Sequence, residues 1–369
     1  MFLNLLSQAS RFFFAHDELI LALPILGLVT GLAYWYFDDK IHNTSRIVHR
    51  STDPGAAVPG INGVFIFFFT ILSHLFGASV GRESTAVQFA AAIGDGFLGL
   101  FAKFFVTAKI NRERIIRSAF AAGFGAVFGV PWAGAIFALE ITPDRRWPFR
   151  FAPWCLTASF GANAIAGYFG AVHFNYPVFA KLSFSPILLL KWIVLGAIFG
   201  ITSKTFLILL HSAEKHFFKH YFKKWLAPFI GGVLVMVITL FLRDSRFNGL
   251  GLQLIEESMT RKLPVTDFLW KSLLTIISSS SGFKGGEVTP LMAIGSSLGA
   301  AAAGWLMMPV SYVASLGLVG VFAASACIPW TGAIMAWELF GSDAFLPAFI
   351  ICWVGRRFVG LRGLMTNNE

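Results

Sequence analysis

An arginine and a glutamate stand side by side within GRESTAVQ, residues 81–88, in one of the most apolar parts of the chain. A glycine-rich turn leads into this stretch, and a helix is predicted from about Thr85, so Glu83 would lie just ahead of a helix N-terminus. Unpaired N–H groups at such an end attract anions, which a carboxylate imitates. Deprotonated, Glu83 would occupy the anion site, and protonated it would swing away, which predicts a gate coupling anion to proton movement. The alternative is a helix-capping carboxylate paired with Arg82.

A second glutamate has a matching setting in GFKGGEVTP, residues 282–290. Glu287 aligns with Glu83 when GGEVTPLM is compared with GRESTAVQ. Thr289 and a helix beginning near Pro290 would supply further donors to an anion. An ion pair between Glu287 and Lys284 that only shapes the loop is the alternative.

His173, in GAVHFNYPVF, follows a small-residue apolar run and is a candidate proton relay. Simple hydrogen bonding at a helix end is the alternative. The sequence contains no nucleotide-binding loop, zinc-ligand spacing or Ser/His/Asp arrangement, so neither an enzyme activity nor a cofactor or metal is predicted.

The elements that must position these residues are membrane helices. Of 369 residues, 56% are hydrophobic and only 13% are charged, which is more apolar surface than one soluble core can hide. Because the apolar runs are continuous, they predict helices and not the strands of a barrel. Ten or eleven membrane segments are expected, at about 19–37, 62–79, 86–106, 115–140, 152–172, 184–210, 226–242, 266–281, 291–308, 313–339 and 345–359.

The net charge of +10 lies in short loops between apolar runs, which is typical of membrane topology and lipid contact and argues against nucleic-acid binding. The first fifteen residues are interpreted as an interfacial helix. Cys155, Cys327 and Cys352 lie within apolar runs and are expected to be small core residues.

The chain also repeats itself. GVPWAGAIFALE at 129–140 returns as CIPWTGAIMAWE at 327–338, with seven of the twelve positions identical. This repeat predicts one transmembrane domain over residues 1–369, built from two copies of one unit at about 17–180 and 184–360. The copies are inverted if each unit spans the membrane an odd number of times, and parallel copies stay possible from this comparison alone. Two such halves are typical of transporters and channels.

Prolines at matching places in the two copies, Pro131 and Pro329, predict half-helices that begin inside the bilayer. Helix ends near 83–88, 131–136, 286–291 and 329–334 are therefore expected to line an anion site. Glu140 and Glu338 each end one copy of the repeat, and a structural role near a membrane boundary is expected for both.

GRESTAVQ, the repeated proline segment and GFKGGEVTP together resemble the CLC family of chloride channels and anion/proton exchangers. GRESTAVQ is similar to the family's GREG(P/T)xVQ, with Ser84 in place of glycine. GFKGGEVTP is most similar to the bacterial fluoride/proton antiporter branch. The resemblance covers about residues 17–365.

The resemblance implies an all-α polytopic membrane protein with two inverted repeats of broken and tilted helices, and a homodimer with one pore per subunit. It places the gating and proton-transferring carboxylate at Glu83. Two positions depart from the pattern, because Thr44 or Ser45 stands where the family brings a polar ligand to the central anion, and Met365 stands in place of a tyrosine. The implied anion-binding residues are Thr44, Ser45, Gly81, Arg82, Ser84, Thr85, Gly286, Glu287, Val288, Thr289 and Met365.

The implied function is fluoride export coupled to proton import, across a membrane expected to be the bacterial inner membrane. No Asp or Glu occurs between Asp144 and Glu214, where chloride/proton members carry a second proton-transferring glutamate, and no cytosolic regulatory domain is expected. The alternatives are a chloride or other halide channel, a chloride/proton exchanger of the same fold, and a membrane scaffold that transports nothing.

Overall fold

A computed structural model shows how these segments fold. It describes residues 2–37, 60–104, 112–141, 147–171, 173, 176, 180–218, 223 and 225–360. Across these ranges the chain forms fifteen α-helices and no strand, which confirms the prediction of an all-α protein.

Seven helices belong to the first half of the chain. They are α1 (Phe2–Ala15), α2 (Leu23–Phe37), α3 (Gly60–Leu75), α4 (Glu83–Phe104), α5 (Arg112–Phe128), α6 (Pro131–Glu140) and α7 (Ala152–Tyr168). Eight belong to the second half. They are α8 (Pro186–Ser212), α9 (Ala227–Leu242), α10 (Leu252–Thr260), α11 (Val265–Ser281), α12 (Val288–Ala302), α13 (Val310–Ala326), α14 (Pro329–Phe340) and α15 (Phe345–Val359).

Two of the predicted membrane segments are each divided into two helices. Within the described ranges, only Asp17–Phe37 and Pro186–Lys215 are long and apolar enough to cross a membrane alone. The expected segment at 115–140 is divided into α5 and α6, since Pro131 has no N–H to continue the first helix and starts the second. Pro329 separates α13 from α14 in the same way, as predicted from the matching prolines.

The centre of the molecule is formed by α12 and α13. Every residue of α12 is buried, as is α13 from Tyr312 to Ala326. Gly295 and Gly317 meet where a Cβ on either one would collide with the other's carbonyl oxygen, so the two backbones touch through glycine. Such close contact between small residues is how apolar helices associate without a hydrophobic driving force. The first turn of α12 is thereby fixed at the core, where it meets GRESTAVQ.

The two half-helices α6 and α14 are joined through their glutamates. Glu338, near the end of α14, accepts hydrogen bonds of 2.9 and 2.8 Å from the first two N–H groups after the proline that opens α6. Glu140, at the end of α6, accepts 3.1 and 2.8 Å bonds from the equivalent N–H groups of α14, and a 2.7 Å bond from the Thr331 hydroxyl. Carboxylates of the chain thus satisfy the first donors of both helix starts, and the expectation that these two helix ends line the anion site stays a prediction.

Candidate functional site

The site forms where the loop before α4 meets the loop before α12. Gly81 and Gly286 exchange two backbone hydrogen bonds and form an antiparallel bridge, the isolated one among the described residues. The bridge brings together the two stretches that the sequence comparison aligned, GRESTAVQ and GGEVTPLM. Both helices thus begin at one place, and their N-terminal N–H groups converge there.

Glu83 occupies this place with its own side chain. It is the first residue of α4, two residues earlier than predicted, and its side chain is 1% exposed. One carboxylate oxygen accepts the Arg82 N–H at 3.0 Å and the Thr289 N–H at 3.2 Å. The other accepts a close hydrogen bond from the Thr289 hydroxyl. The carboxylate therefore sits where three donors from two loops would hold a small anion.

Glycine at position 81 makes this position of the carboxylate possible. A Cβ on Gly81 would lie 2.7 Å from a carboxylate oxygen of Glu83 and 2.7 Å from the carbonyl oxygen of Gly286. Any other residue would thus displace both the Glu83 carboxylate and the bridge.

Arg82 borders the carboxylate without forming a close ion pair. Its Nε lies 3.7 Å from a Glu83 carboxylate oxygen, and its Nη2 donates a 3.4 Å hydrogen bond to the carbonyl of Val127. Most of the side chain is buried. The guanidinium adds a positive charge beside the donors and makes the site electrostatically suited to an anion.

A buried polar network holds the loop that leads to Glu83. The Ser79 N–H donates a 3.1 Å bond to the Ser278 hydroxyl, and the Ser79 hydroxyl shares a 2.9 Å hydrogen bond with that of Thr275. Asn248 donates a 2.7 Å bond to the carbonyl of Gly77. The second half of the chain therefore fixes the loop at two points before it reaches Glu83.

Lys271 completes this network. Its side chain is fully buried, and its ammonium donates to the Ser79 hydroxyl at 3.0 Å and to the carbonyls of Phe247 and Gly249 at 3.0 and 2.8 Å. Sequence reasoning missed this residue, although one lysine in the apolar run FLWKSLLTII was a sufficient signal. Its ammonium therefore links α11 to the loop before α10 and to the loop before α4.

The other predicted anion-binding residues do not all face the carboxylate. Ser84 packs against Gly286, where a Cβ on the glycine would meet its hydroxyl at 2.7 Å. Thr85 directs its hydroxyl to that of Thr70 at 2.7 Å. Val288 is fully buried in the core. Of the predicted set, the structure brings Gly81, Arg82, Glu83, Ser84, Gly286 and Thr289 together.

Glu287 lies at the same junction but has different partners. It interacts with the Ser279 side chain and lies within electrostatic range of both Glu83 and Glu214. The Lys284 ammonium lies 4.2 Å from the centre of the Tyr34 ring. Lys284 is therefore held by a cation–π contact in addition to its electrostatic attraction to Glu287.

His173 lies near Arg82. Its Nε2 is 2.9 Å from the carbonyl oxygen of Ala126, and its ring lines a small cavity together with Arg82 and Thr289. Thr44, Ser45 and Met365 lie outside the described residues. In the described part of the chain, no group of three His, Cys, Asp or Glu side chains could hold a metal ion.

An all-helical membrane fold with a carboxylate seated among helix N-termini defines a class of protein, the CLC-type anion transporters. The chain belongs to this family, because the profile described as "Voltage gated chloride channel" matches residues 17–360. Members of the family are channels or transporters and not enzymes, and the chain is an integral membrane protein.

Two bacterial proteins of this family are similar to the chain over most of their lengths. A chloride/fluoride channel protein of Pseudomonas syringae pv. tomato is 33% identical over 95% of this chain and 78% of its own length. An H(+)/Cl(−) exchange transporter of Vibrio parahaemolyticus is 27% identical over 83% of this chain and 72% of its own length.

Solved structures show the same similarity. The crystal structure of a CLC-type fluoride/proton antiporter matches with a TM-score of 0.88 and 30% identity, covering 96% of this chain and 89% of the other. A slow cyanobacterial Cl−/H+ antiporter matches with a TM-score of 0.78 and 19% identity, covering 97% of this chain and 88% of the other, which supports the fold alone.

Proposed function

We propose that this protein exports fluoride in exchange for protons, and that Glu83 is both its gate and its proton carrier. The observation that carries the proposal is the seat of the Glu83 carboxylate on the N–H groups of Arg82 and Thr289 and on the Thr289 hydroxyl. A carboxylate bound by donors suited to an anion competes directly with any anion that enters. Protonation weakens its hold on these donors, so that leaving the seat and carrying a proton become one event.

Fluoride is favoured over chloride by two kinds of support. The relatives described above include a fluoride/proton antiporter at 30% identity and a chloride/fluoride channel protein at 33%. GFKGGEVTP, the nonamer that most resembles the fluoride branch, supplies Thr289 to the gate and Gly286 to the bridge. The segment with the most branch-specific sequence is thus the one that touches the carboxylate.

Coupling fluoride export to proton import would lower the fluoride concentration inside the cell. Hydrogen fluoride is a weak acid that crosses membranes as the neutral molecule and releases fluoride inside the cell. An exporter that takes in a proton for each fluoride released uses the proton gradient to reverse this accumulation. We further propose that it works as a homodimer in the bacterial inner membrane, with the halves at about 17–180 and 184–360 as inverted copies.

The test is transport by purified protein in liposomes, with fluoride, chloride and external pH recorded together. We expect fluoride efflux with stoichiometric proton uptake and little chloride efflux. Chloride flux without proton movement would instead mean a halide channel, and chloride flux with proton movement a chloride/proton exchanger. The absence of any flux would support a scaffold.

Glu83→Gln tests the role of the gate, because glutamine keeps the size of the side chain and cannot carry a proton. We expect proton-coupled flux to disappear while anion passage becomes uncoupled. Glu256→Gln, on the exposed face of α10, is the matched control. Proton flux that survives Glu83→Gln would refute the assignment.

A further inference from the structure

A largely buried arginine organises the loop before α10. The side chain of Arg246 is 18% exposed and is surrounded by three carboxylates. Its Nε lies 2.6 Å from Asp244, and its Nη1 lies 2.6 Å from Glu257 of α10. Its Nη2 lies 3.0 Å from Asp267 in the first turn of α11, a carboxylate that is 4% exposed. We call these four residues the Arg246 cluster.

The chemistry of arginine suits this arrangement. The planar guanidinium has five N–H donors in fixed directions, so one side chain can hold several carboxylates at once. The Arg246 N–H also donates a 3.1 Å bond to Asp244, which fixes the turn in which the arginine lies. Without the guanidinium, Asp267 would be a buried charge that has lost its cation, which is costly. The Arg246 cluster therefore fixes the backbone at this point of the loop.

The residues that follow the arginine hold the turn ahead of Glu83. The carbonyl of Phe247 accepts a 3.2 Å hydrogen bond from the Ser79 hydroxyl. The side chain of Asn248 donates a 2.7 Å bond to the carbonyl of Gly77. Because these residues come directly after the arginine, a shift of its backbone moves the atoms that bond to the turn.

Helix α11 holds the same segment at a second point. Lys271 lies one turn along the helix from Asp267, and residues four apart share one helix face. The Lys271 ammonium donates to the carbonyls of Phe247 and Gly249 at 3.0 and 2.8 Å. The loop before α10 is therefore attached to α11 both at the arginine and at the residues that follow it.

From these contacts we propose that Arg246 is a positioning residue for Glu83, and that the Arg246 cluster sets how tightly proton movement is coupled to anion movement. The arginine acts through the loop before α10, which bonds to the turn ahead of the carboxylate. When that turn is fixed, the carboxylate leaves its seat only after it takes up a proton. When the turn is loosened, the carboxylate leaves without a proton and an anion passes uncoupled. The proposal rests on the proposed function, in which Glu83 is the gate.

Arg246→Gln tests the charge in liposomes, with fluoride efflux and proton uptake recorded together. We expect the number of protons taken up per fluoride to fall severalfold. Arg243→Gln, at an exposed position of the same loop, is the matched control and should keep the wild-type ratio. Arg246→Lys keeps the positive charge without the planar fork and should restore part of the ratio. A role confined to folding would lower both fluxes in proportion, so an unchanged ratio would overturn the proposal.

A milder variant covers the case in which Arg246→Gln does not fold. Glu257→Gln removes the charge of a carboxylate that is 31% exposed and leaves the arginine paired with Asp267. We expect a smaller fall in the ratio than in Arg246→Gln. Glu256→Gln, at the neighbouring exposed position of α10, is its control. A lowered ratio in Glu257→Gln alone supports the positioning role, and a wild-type ratio overturns it.

Hydrogen exchange of backbone amides separates this inference from the proposed function. Wild-type protein that exchanges fluoride for protons, with an unchanged ratio in folded Arg246→Gln, would overturn the positioning role and leave the function intact. Wild-type protein without such exchange would overturn the function, and amide exchange at residues 76–82 then decides. Faster exchange there in Arg246→Gln than in Arg243→Gln, with α13 unchanged, supports the positioning role, and equal exchange overturns it.

Discussion

At the scale of single residues, the proposed gate is a carboxylate that occupies the place where a transported anion would bind. Glu83 takes two bonds from Thr289 and one from its neighbour Arg82, so most of its partners come from the other half of the chain. Bonds to a charged acceptor are each worth about 1.5–3 kcal/mol, so three such bonds make the carboxylate a competitor for an anion at the same place. The balance between carboxylate and anion at this place depends on Thr289.

Thr289→Val removes the hydroxyl while keeping the shape of the side chain. We expect the number of protons taken up per fluoride to fall, because the carboxylate is held less firmly and fluoride passes without displacing it. Liposome efflux with simultaneous pH recording measures this ratio. Thr289→Ser keeps the hydroxyl and should keep the ratio, and a Thr289→Val protein with wild-type coupling would show that the hydroxyl does not hold the gate.

The residues of this site differ in how well the sequence predicted them. The setting of Glu83 and the donors from Thr289 were predicted from glycine-rich turns ahead of helices. The direction of a side chain was not, since Thr85 lies two residues from Glu83 and yet bonds to Thr70. Whether a hydroxyl faces the site or a neighbouring helix depends on helix rotation, which a single sequence does not encode locally.

At the scale of elements, α11 supports the loop that leads to Glu83. It presents Lys271, Thr275 and Ser278 to the loop that contains Ser79, and all four side chains are buried. Fully satisfied buried networks fix one geometry, and partly satisfied ones are costly. The contacts of α11 with Ser79 therefore help to fix the loop that leads to Glu83.

Lys271→Met replaces the ammonium with an apolar side chain of similar length. It leaves the carbonyls of Phe247 and Gly249 without this donor, and each buried acceptor left unsatisfied costs about 1–3 kcal/mol. We expect a lower melting temperature and looser proton coupling, because the loop before α4 loses its support. Lys204→Met, on the exposed face of α8, is the control. Wild-type coupling in a folded Lys271→Met protein would limit Lys271 to stability.

Helix boundaries were predictable where proline decides them, as at Pro131 and Pro329. The group that caps each of the resulting helix starts was not predictable. The partner of each end lies roughly two hundred residues away, and spacing in the sequence carries no information about such contacts. The sequence predicted a structural role for Glu140 and Glu338. Only the structure shows what that role is: Glu338 caps the start of α6, and Glu140 caps the start of α14.

At the scale of the whole molecule, the carboxylates of Glu140 and Glu338 join α6 to α14. We call this reciprocal pair of helix caps the clasp. Each glutamate satisfies two N–H groups that would otherwise be orphaned at a helix start. Both contacts join the same pair of helices, so the first half of the chain is bound to the second by a reciprocal pair of caps.

Glu140→Ala and Glu338→Ala, singly and together, test whether the clasp acts as a unit. Each single change should destabilise the protein by about 1–3 kcal/mol, since its N–H groups lose their acceptor. The double variant should lose less than the sum, because residues that share an interface are coupled by about 0.5–3 kcal/mol. Thermal unfolding of the four proteins in detergent measures the cycle, with Glu256→Ala as control. Strict additivity would show two independent caps.

The pairing of Glu83 with Thr289 also has a consequence for biosynthesis. The two residues are 206 positions apart, so the ribosome delivers the carboxylate long before it delivers its main partner. During insertion, the first half enters the bilayer with a carboxylate that has Arg82 beside it and lacks both donors of Thr289. The seat of the Glu83 carboxylate is therefore complete only once Thr289 has been made, and a nascent chain halted midway carries a carboxylate without its main partner.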